Sequence, residues 1–252
     1  MNIISLQSGS NGNCIYVEDG EFSVLFDAGI SGIQAERRLA NHGRNIRDVS
    51  AVIISHEHND HIRSAGIYGR KYGLPLHVTQ STLSATRTDL GKLREVCHFN
   101  SGETFSFGNI GVFTVPTPHD GVDGCAFVVS GGGKRLGIFT DLGHPFAELQ
   151  QLLPTLDGVI IESNYDEQML DTGPYPWPLK QRIKGPRGHL SNLETAHLLK
   201  SAGSRLQWAL LGHLSEQNNT PERALETNRS IVGPELPIHV ASRYRESSVF
   251  SL

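Results

Sequence analysis

Short apolar runs separated by turn-forming residues recur along the chain and predict a protein rich in strands. Near the start, residues 2–6, 14–18 and 22–27 are rich in β-branched and aromatic side chains, and the segment "SGSNGN" separates the first two runs. Between residues 103 and 140 four more runs follow at close spacing, with "SGGGK" as a hairpin turn. The predicted strands are 2–6, 14–18, 22–27, 51–54, 103–106, 110–115, 124–130, 134–140, 157–162, 207–211 and 237–241.

Stretches with the periodicity of amphipathic helices lie between these strands. The segment "GIQAERRLANHG" is typical of a helix that ends at Gly43, because glycine readily adopts the left-handed conformation that follows many last helical turns. The predicted helices are 32–43, 64–72, 80–88, 145–153, 192–202 and 221–231. This mixture favours an α+β fold in which two sheets pack face to face with helices outside them.

The length and the hydropathy of the chain restrict its organisation. A chain of 252 residues can build one sizeable hydrophobic core but is short for two, so we expect a single domain over residues 1–252. No segment approaches the roughly 20 apolar residues of a membrane span. The start, "MNIISLQSGSNGN", lacks the basic region and the cleavage site of a secretory signal. We therefore expect a cytoplasmic protein that does not bind membranes.

Cysteine content and net charge change this picture little. Cys14, Cys97 and Cys125 are odd in number and far apart, which argues against a disulfide framework and fits a reducing compartment. We interpret them as small core residues. The net charge of −4 carries no general signature of nucleic-acid binding, although a mildly acidic protein can still have a basic patch beside an active site.

The first candidate for chemistry is a dense polar cluster at the end of an apolar strand. In "AVIISHEHNDHIRSAG", the strand 51–54 is followed by His56, His58, Asp60 and His61. These side chains are imidazole and carboxylate ligands for first-row metals, and one ion cannot easily take all four from so short a segment, whereas two adjacent ions can. The alternative is a solvated loop in which Asp60 caps the following helix.

The motif "SHEHNDHI" resembles the H-x-H-x-D-H signature of the metallo-β-lactamase fold superfamily. The resemblance covers nearly the whole chain and implies a four-layer αββα sandwich with a metal site at one edge of the paired sheets. Asp27 in "LFDAG" matches a structural acid of the superfamily. His119 in "TPHDG", Asp141 in "FTDLGH" and His213 in "LLGHLS" follow strand-like runs in the expected order.

The resemblance also implies how the ligands divide between two divalent ions. His56, His58 and His119 would hold one ion, Asp60, His61 and His213 the other, and Asp141 would bridge them. Zinc is the default metal for these ligands, while manganese and iron are also compatible with a site that has no thiolate. An Asp in place of a Cys at position 141, together with the missing signal peptide, disfavours a di-zinc β-lactamase.

A second motif, "GPRGHLSNLETAHLL", places a histidine directly before a helix. Ser191 and Glu194 have the spacing of a capping box, so His189 lies where backbone N–H groups and the helix dipole favour an anion such as phosphate. The alternative is that His189 only caps or packs beside the helix. Gly-His-Leu-Ser occurs twice, before this helix and at residues 212–215 after a strand, which supports a catalytic role for His189 and a metal role for His213.

The helix-start motif is similar to one in RNase Z and related phosphodiesterases, where the histidine is thought to assist the leaving group. The segments "IIESNYDEQML", "YPWPLKQRIKGPRGHLSN" and "HLSEQNNTPE" resemble the YycJ/WalJ group still more closely, which consists of bacterial members of the fold regarded as double-stranded DNA exonucleases. This resemblance implies DNA as the substrate.

The segment before His189 is basic and carries two aromatic residues. A phosphate backbone could be bound by this cluster of cations, which comprises Lys180, Arg182, Lys184 and Arg187. Tyr175 and Trp177 could stack on a base. The alternative is a solvated loop whose aromatic side chains cover the core.

The predicted reaction is hydrolysis of a phosphodiester by a hydroxide that bridges two metal ions. Asp60 would orient the hydroxide, and His189 would protonate the leaving oxygen or stabilise charge on the phosphoryl group. Glu162, at the end of the strand "DGVIIE", would orient His189, or form a structural salt bridge. The alternatives are a hydrolase of a small-molecule ester, thioester, lactone or cyclic phosphodiester, an iron-dependent oxidoreductase of the same fold, and a non-catalytic binding protein.

Overall fold

The computed structural model describes residues 1–252 and contains two seven-stranded mixed sheets. The first sheet has the order β14-β1-β2-β3-β4-β5-β6 and consists of β1 (Asn2–Gln7), β2 (Cys14–Asp19), β3 (Phe22–Phe26), β4 (Ala51–Ile53), β5 (Leu76–Val78), β6 (Val96–His98) and β14 (Phe250–Ser251). The second has the order β13-β12-β11-β10-β9-β8-β7 and consists of β7 (Thr104–Phe107), β8 (Ile110–Pro116), β9 (Cys125–Gly131), β10 (Lys134–Phe139), β11 (Gly158–Glu162), β12 (Trp208–Gly212) and β13 (Ile238–Val240). Hairpin-connected strands pair antiparallel in each sheet, and β3 to β6 and β10 to β13 pair parallel.

Helices cover the outer face of each sheet. They are α1 (Gly32–Ala40), α2 (Asn59–Ile62), α3 (Ala65–Ile67), α4 (Gln80–Ala85), α5 (Ala147–Leu152), α6 (Glu167–Thr172), α7 (Trp177–Lys184), α8 (Asn192–Ser201) and α9 (Pro221–Val232), with a π-helical turn at Tyr68–Tyr72 and 3₁₀ turns at Ile46–Asp48 and Leu153–Thr155. None of these helices combines the length and the apolar character that a membrane-spanning segment needs.

Strand periodicity explains the four layers. On β3, Phe26 faces the space between the sheets, where its ring lies 5.0 Å from that of Phe127 on β9, whereas Leu25 packs with the helices on the outer face. On the second sheet, Ile160 of β11 likewise faces the inner layer, and its neighbour Ile161 packs on the outer layer. The alternation confirms the predicted αββα sandwich.

All predicted strands and helices form, with ends displaced by a few residues. Helix α1 ends at Ala40, before the predicted end at Gly43, and Gly43 adopts a positive φ of 71°. The short strands β5, β6 and β14 were not predicted, because three-residue and two-residue strands carry too little periodicity to be distinguished from loops. Cys14 and Cys125 are buried as expected, and Cys97 is half-buried.

The segment from Tyr175 to Arg187 differs most from the sequence expectation of a loop. Residues Trp177–Lys184 form helix α7, with Pro178 within its first turn, where its missing N–H has no helical partner to lose. Trp177 is 70% exposed, so the alternative in which its ring covers the core is wrong. Proline and glycine around the helix conceal its periodicity in the sequence.

The loop after β3 packs against the polar segment after β4 at backbone distance. Ala28 N–H donates to the carbonyl of His61 at 2.6 Å, and Asn13 N–H donates to the carbonyl of Asp60 at 2.7 Å. A Cβ atom at Gly29 would lie 1.7 Å from the carbonyl oxygen of Asp60, so only glycine fits at this position. This contact fixes helix α2 relative to the first sheet.

Replacing this glycine should therefore destabilise the fold. We expect Gly29→Ala to lower the free energy of unfolding by about 3 kcal/mol, the upper end of the usual cost of overpacking, as measured by urea denaturation. Gly69→Ala is the control, because a Cβ there would lie 3.4 Å from the carbonyl oxygen of Leu74, an ordinary contact distance. Equal losses in the two variants would contradict the close approach.

Candidate metal centre

The candidate metal ligands and the acid Asp27 lie where strands of both sheets end. His56 follows β4 and Asp27 follows β3 in the first sheet, while Asp141 follows β10 and His213 follows β12 in the second. The carboxyl ends of parallel strands meet at one edge of a sheet, so these side chains converge although they are far apart in sequence. His119 enters from the loop between β8 and β9, and Asp60 and His61 lie on helix α2.

Backbone strain is concentrated at these positions. The structure has four non-glycine residues with positive φ, and three of them are Asp27 at 64°, Asp141 at 57° and His213 at 53°. The left-handed region is unfavourable for side chains other than Asn, Asp and a few others, and its occupation at a functional site is a recurring form of stored strain. Here each strained residue turns its side chain from a strand end into the centre.

Three histidines form the first group of potential ligands. His56, His58 and His119 each offer a ring nitrogen, and these nitrogens lie within 4.8 Å of one another. His56 Nε2 and His58 Nδ1 are 3.0 Å apart, so the two rings present different nitrogens to the same point. The geometry brings together the three residues that the sequence assigned to one ion.

Asp60, His61 and His213 form the second group. Asp60 Oδ2 lies 3.2 Å from His213 Nε2 and 3.4 Å from His61 Nε2. Asp141 stands between the groups, with Oδ2 3.1 Å from His61 Nε2 and Oδ1 3.5 Å from His119 Nε2. Its position is the one expected of a bridging carboxylate.

Most of the ligand histidines have a polar partner at the ring nitrogen that faces away from the centre. Asp27 Oδ2 lies 2.7 Å from His61 Nδ1 and also accepts the hydroxyl of Ser55, whose Oγ is 2.9 Å from His56 Nδ1. His119 Nδ1 lies 2.8 Å from the carbonyl oxygen of Gly188. Such partners fix the tautomer and the orientation of a metal-binding imidazole.

Some residues that contact the candidate ligands were not identified from the sequence, namely Ser55, Asn13 and Asn164. The amide nitrogen of Asn13 lies 2.9 Å from His61 Nε2, the ring nitrogen that faces the centre. The amide nitrogen of Asn164 donates to the carbonyl of His213 at 2.7 Å. Ser55 immediately precedes the histidine motif, which was an available signal. The two asparagines lie in loops, and nothing in the local sequence distinguishes them from other polar loop residues.

The buried polar atoms show that these residues fit divalent metal ions. His119 Nε2 and Asp141 Oδ2 are buried and have no hydrogen-bond partner, although both point to the centre of the cluster. Leaving a buried polar atom unpaired costs free energy, and a coordinated cation removes that cost. Imidazole and carboxylate donors with no thiolate are suited to zinc, manganese or iron.

The electrostatics of the cluster also favour cation binding. Burial is the largest influence on His56 and His119 and lowers the pKa of both rings, which leaves them neutral with a free lone pair. Burial alone would raise the pKa of Asp141, but the neighbouring His213 and His61 hold that pKa well below its ordinary value. Burial lowers the pKa of His61, but the charges of Asp27, Asp60 and Asp141 outweigh this effect and raise that pKa well above its ordinary value. A bound cation would have to displace the proton of His61, since a metal requires neutral imidazoles.

His189 and Glu162 form a pair at the border of this cluster. His189 Nδ1 lies 2.9 Å from Glu162 Oε1, and Glu162 is fully buried and also accepts the backbone N–H groups of Leu142 and Leu190. Burial lowers the pKa of His189, but the charge of Glu162 and its hydrogen bond outweigh this effect and raise the pKa to about 9. The predicted capping box of Ser191 and Glu194 is present in the helix that follows.

His189 is close enough to the cluster to be considered as a ligand itself. It forms one potential group with His119 and Asp141 and another with Glu162 and His213. Beside it lies a cavity of about 220 Å³, which Tyr175, Arg182 and Asn164 also line. The ring therefore faces both the centre and the space that a substrate could enter.

The basic residues of helix α7 are mostly engaged by the protein itself. Arg182 Nε donates to Asp120 Oδ2 at 2.6 Å, and Lys184 Nζ donates to Asp171 Oδ1 at 2.5 Å. Lys180 Nζ donates to the backbone carbonyls of Asp171 and Gly173. Arg187 is exposed, and its guanidinium has no partner in the structure.

His144, next to the strained turn at Asp141, stands outside the ligand groups. Its Nδ1 lies 2.7 Å from the carbonyl oxygen of Pro186, in the segment that leads to His189. The ring therefore holds this segment beside the centre.

Comparison with known proteins agrees with the fold. The sequence of residues 8–177 matches the protein family described as the Metallo-beta-lactamase superfamily. Exodeoxyribonuclease WalJ of Streptococcus pneumoniae is 37% identical over 224 residues, which cover 87% of this chain and 83% of that protein. Exodeoxyribonuclease YycJ of Bacillus anthracis is 32% identical over 244 residues, which cover 93% and 92% of the two chains.

The crystal structure of the metallo-beta-lactamase fold protein YhfI from Bacillus subtilis is similar over 99% of this chain and 98% of that chain, with a TM-score of 0.75 at 16% identity. The sequence resemblance based on "SHEHNDHI" is thus confirmed by both sequence and fold. The chain belongs to the metallo-beta-lactamase superfamily, in the group of its relatives WalJ and YycJ, and is a hydrolase that depends on divalent metal ions.

Proposed function

We propose that the protein is a phosphodiesterase that degrades DNA as an exonuclease, with two divalent ions, zinc by default, at the candidate centre. The observation that carries this proposal is the arrangement of two ligand groups around Asp141 with the His189–Glu162 pair at their border. The relatives named exodeoxyribonucleases support DNA as the substrate.

The assignment of ligands follows the geometry. His56, His58 and His119 would hold one ion, Asp60, His61 and His213 the other, and Asp141 would contact both. When bound, the ions supply a water of lowered pKa and a positive charge that polarises the phosphoryl oxygen. Manganese and iron remain compatible with these donors.

Asp60 has the location of the group that orients the attacking water. Its side chain is 21% exposed, whereas those of His61 and His213 beside it are almost fully buried. Asn13 Nδ2 donates to Asp60 Oδ2 at 3.3 Å and holds the carboxylate in place. The carboxylate can therefore accept a hydrogen bond from a water that faces the substrate.

His189 has the geometry of a proton donor to the leaving oxygen. Because Nδ1 is directed to Glu162, Nε2 remains for the substrate side. Burial lowers the pKa of the ring, but the charge and the hydrogen bond of Glu162 outweigh this effect and favour the protonated form. The buried carboxylate of Glu162 stabilises the imidazolium and fixes its orientation. Glu162 thus acts through His189 and does not contact the substrate.

Metal content and hydrolysis together test the proposed function. We expect His58→Ala and Asp60→Ala each to lower the metal content of the purified protein and to abolish hydrolysis of bis-p-nitrophenyl phosphate and end-labelled DNA. His197→Ala is the control, since that ring is exposed on helix α8 and lies outside the ligand groups. Full metal occupancy in both site variants would refute the ligand assignment.

The same assays distinguish the substrates. Shortening of end-labelled DNA from its termini supports the exonuclease. If the protein hydrolyses bis-p-nitrophenyl phosphate but leaves DNA and RNA uncleaved, it is a small-molecule hydrolase. Oxygen consumption without any hydrolysis would indicate an oxidoreductase.

Variants of the two Gly-His-Leu-Ser histidines separate catalysis from metal binding. We expect His189→Ala to retain its ions and its fold but to lose about 10²–10⁴-fold in turnover, the usual contribution of general acid catalysis. His213→Ala should lose metal, as elemental analysis would measure. Metal loss in His189→Ala with full retention in His213→Ala would reverse the assignment, and an unchanged rate in His189→Ala would reduce this residue to a packing role.

Arg187 is the member of the predicted basic cluster that is free to bind a phosphate. Arg87, which lines a cavity of about 430 Å³ on the His58 side of the centre, is also exposed and unpaired. Lys180, Arg182 and Lys184 can contribute only after giving up the contacts they make within the protein.

We expect Arg187→Ala and Arg87→Ala each to weaken binding of a labelled DNA duplex and to lower the slope of log affinity against log salt by about 1. Arg37→Ala is the matched control, because Arg37 is an exposed arginine on the distant helix α1. The measurement is fluorescence anisotropy at several salt concentrations with the metal chelated, so that the duplex stays intact. A slope equal to that of the control would exclude these two contacts.

A further inference from the structure

His58 differs from the other ligand histidines in what supports its ring. Its Nδ1 lies 3.0 Å from His56 Nε2, on the side of the ligand group, which leaves Nε2 on the far edge of the ring. When Nδ1 binds a metal, Nε2 carries the hydrogen of the neutral imidazole. The atom that faces this nitrogen is Asp120 Oδ1, at 3.5 Å.

The need for such a partner is greatest at His58. The side chain of His58 is 30% exposed, whereas that of His119 is 3% exposed and that of His61 is fully buried. Packing and hydrogen bonds to Ser55, Asp27 and a backbone carbonyl hold the other rings. The ring of His58 has no equivalent bond among its neighbours, so its orientation depends on Asp120.

Asp120 is itself firmly held. Its Oδ2 accepts Arg182 Nε at 2.6 Å, and its backbone N–H donates to the carbonyl oxygen of Arg187 at 3.1 Å. Its other carboxylate oxygen, Oδ1, is buried without a hydrogen-bond partner and lies 3.3 Å from His119 Nε2 as well as near His58. A buried, unpaired carboxylate oxygen aimed at two ligand histidines is costly unless it interacts with the occupied centre.

We propose that Asp120 is a positioning residue that orients His58 for metal binding and is held in place by Arg182 of helix α7. This inference rests on the proposed ligand role of His58. An ion held at Nδ1 would make the Nε2–H of His58 a stronger donor, and Asp120 Oδ1, at 3.5 Å, is the acceptor that faces it. The chain Arg182–Asp120–His58 therefore connects helix α7 to the centre.

This assignment changes the role of Arg182. In the sequence it belongs to a basic cluster that suits a phosphate backbone, but its shortest ion pair in the structure is with Asp120. Both residues line the 220 Å³ cavity beside His189 and the 430 Å³ cavity beside Arg87. The pair thus lies between the two spaces flanking the centre and fixes the position of helix α7 relative to them.

Metal affinity without any substrate tests the inference. We expect Asp120→Ala to weaken zinc binding by about 10–100-fold in competition with a chelator, while saturating zinc still fills as many sites as in the unchanged protein. The zinc affinity of Asp120→Asn should lie between that of Asp120→Ala and that of the unchanged protein, because the amide oxygen of asparagine still accepts the His58 Nε2 hydrogen. Arg182→Ala should cause a smaller loss, since it loosens Asp120 without removing it.

Asp123→Asn is the matched control for Asp120→Asn. Asp123 lies in the same loop, is exposed, and has a positive φ of 57° that asparagine tolerates well. The metal-free Asp120 variants should have the same unfolding midpoint as the metal-free control. The visible absorption of the Co²⁺-loaded protein should change in Asp120→Ala but not in the control.

Three results would overturn the inference. Zinc affinity in Asp120→Ala equal to that of the control would remove the positioning role. Loss of one ion at saturating zinc would make Asp120 a direct ligand. If metal-free Asp120→Ala has a lower unfolding midpoint, and this loss of stability accounts for the whole loss of zinc affinity, Asp120 is a structural residue. Failure of the unchanged protein to bind zinc would refute the metal site itself, independently of Asp120.

Discussion

The candidate centre depends on the buried carboxylate of Asp27. One oxygen accepts the backbone N–H of Ser55 at 2.8 Å, and the other accepts the Ser55 hydroxyl and lies 2.7 Å from His61 Nδ1. These bonds join the end of β3 to the end of β4 and to helix α2. Because Ser55 Oγ also contacts His56, one carboxylate sets the orientation of a histidine in each ligand group.

This arrangement is costly for the folded chain in the absence of ions. Asp27, Asp141 and His213 occupy the left-handed region, and several imidazole and carboxylate atoms are buried without partners. Each strained residue costs on the order of 1–3 kcal/mol, and hydrogen bonds from the surrounding loops must offset that cost. The two sheets supply the necessary rigidity, because the strained residues lie within two positions of the ends of strands that pair on both sides.

The sequence predicted the fold and the cluster well because both rest on local patterns. The apolar runs that became β1 to β4 and β7 to β13 have clear periodicity, and the spacing of His56, His58, Asp60 and His61 carries the ligand pattern within six residues. Helix α7 was not predicted, since its prolines and exposed surface hide the helical period. The partners Asn13 and Asp120 were also missed, because their roles arise from contacts across 48 and 62 residues, which no local spacing reveals.

These contacts between residues far apart in sequence join two parts of the site, the residues at the strand ends and helix α7. Asp27, Asp141 and Glu162 are buried at strand ends, so the groups they orient are held by the two sheets. Helix α7 has no buried residue and meets the centre through the ion pair of Arg182 with Asp120 and through the carbonyl of Ile183, which accepts the backbone N–H of His189 at 3.0 Å. An element with so little buried surface gains little stability from packing, so polar contacts must hold it in place. The groups that orient the candidate ligands therefore lie on the sheets, whereas helix α7 is attached to them by one ion pair and by backbone contacts.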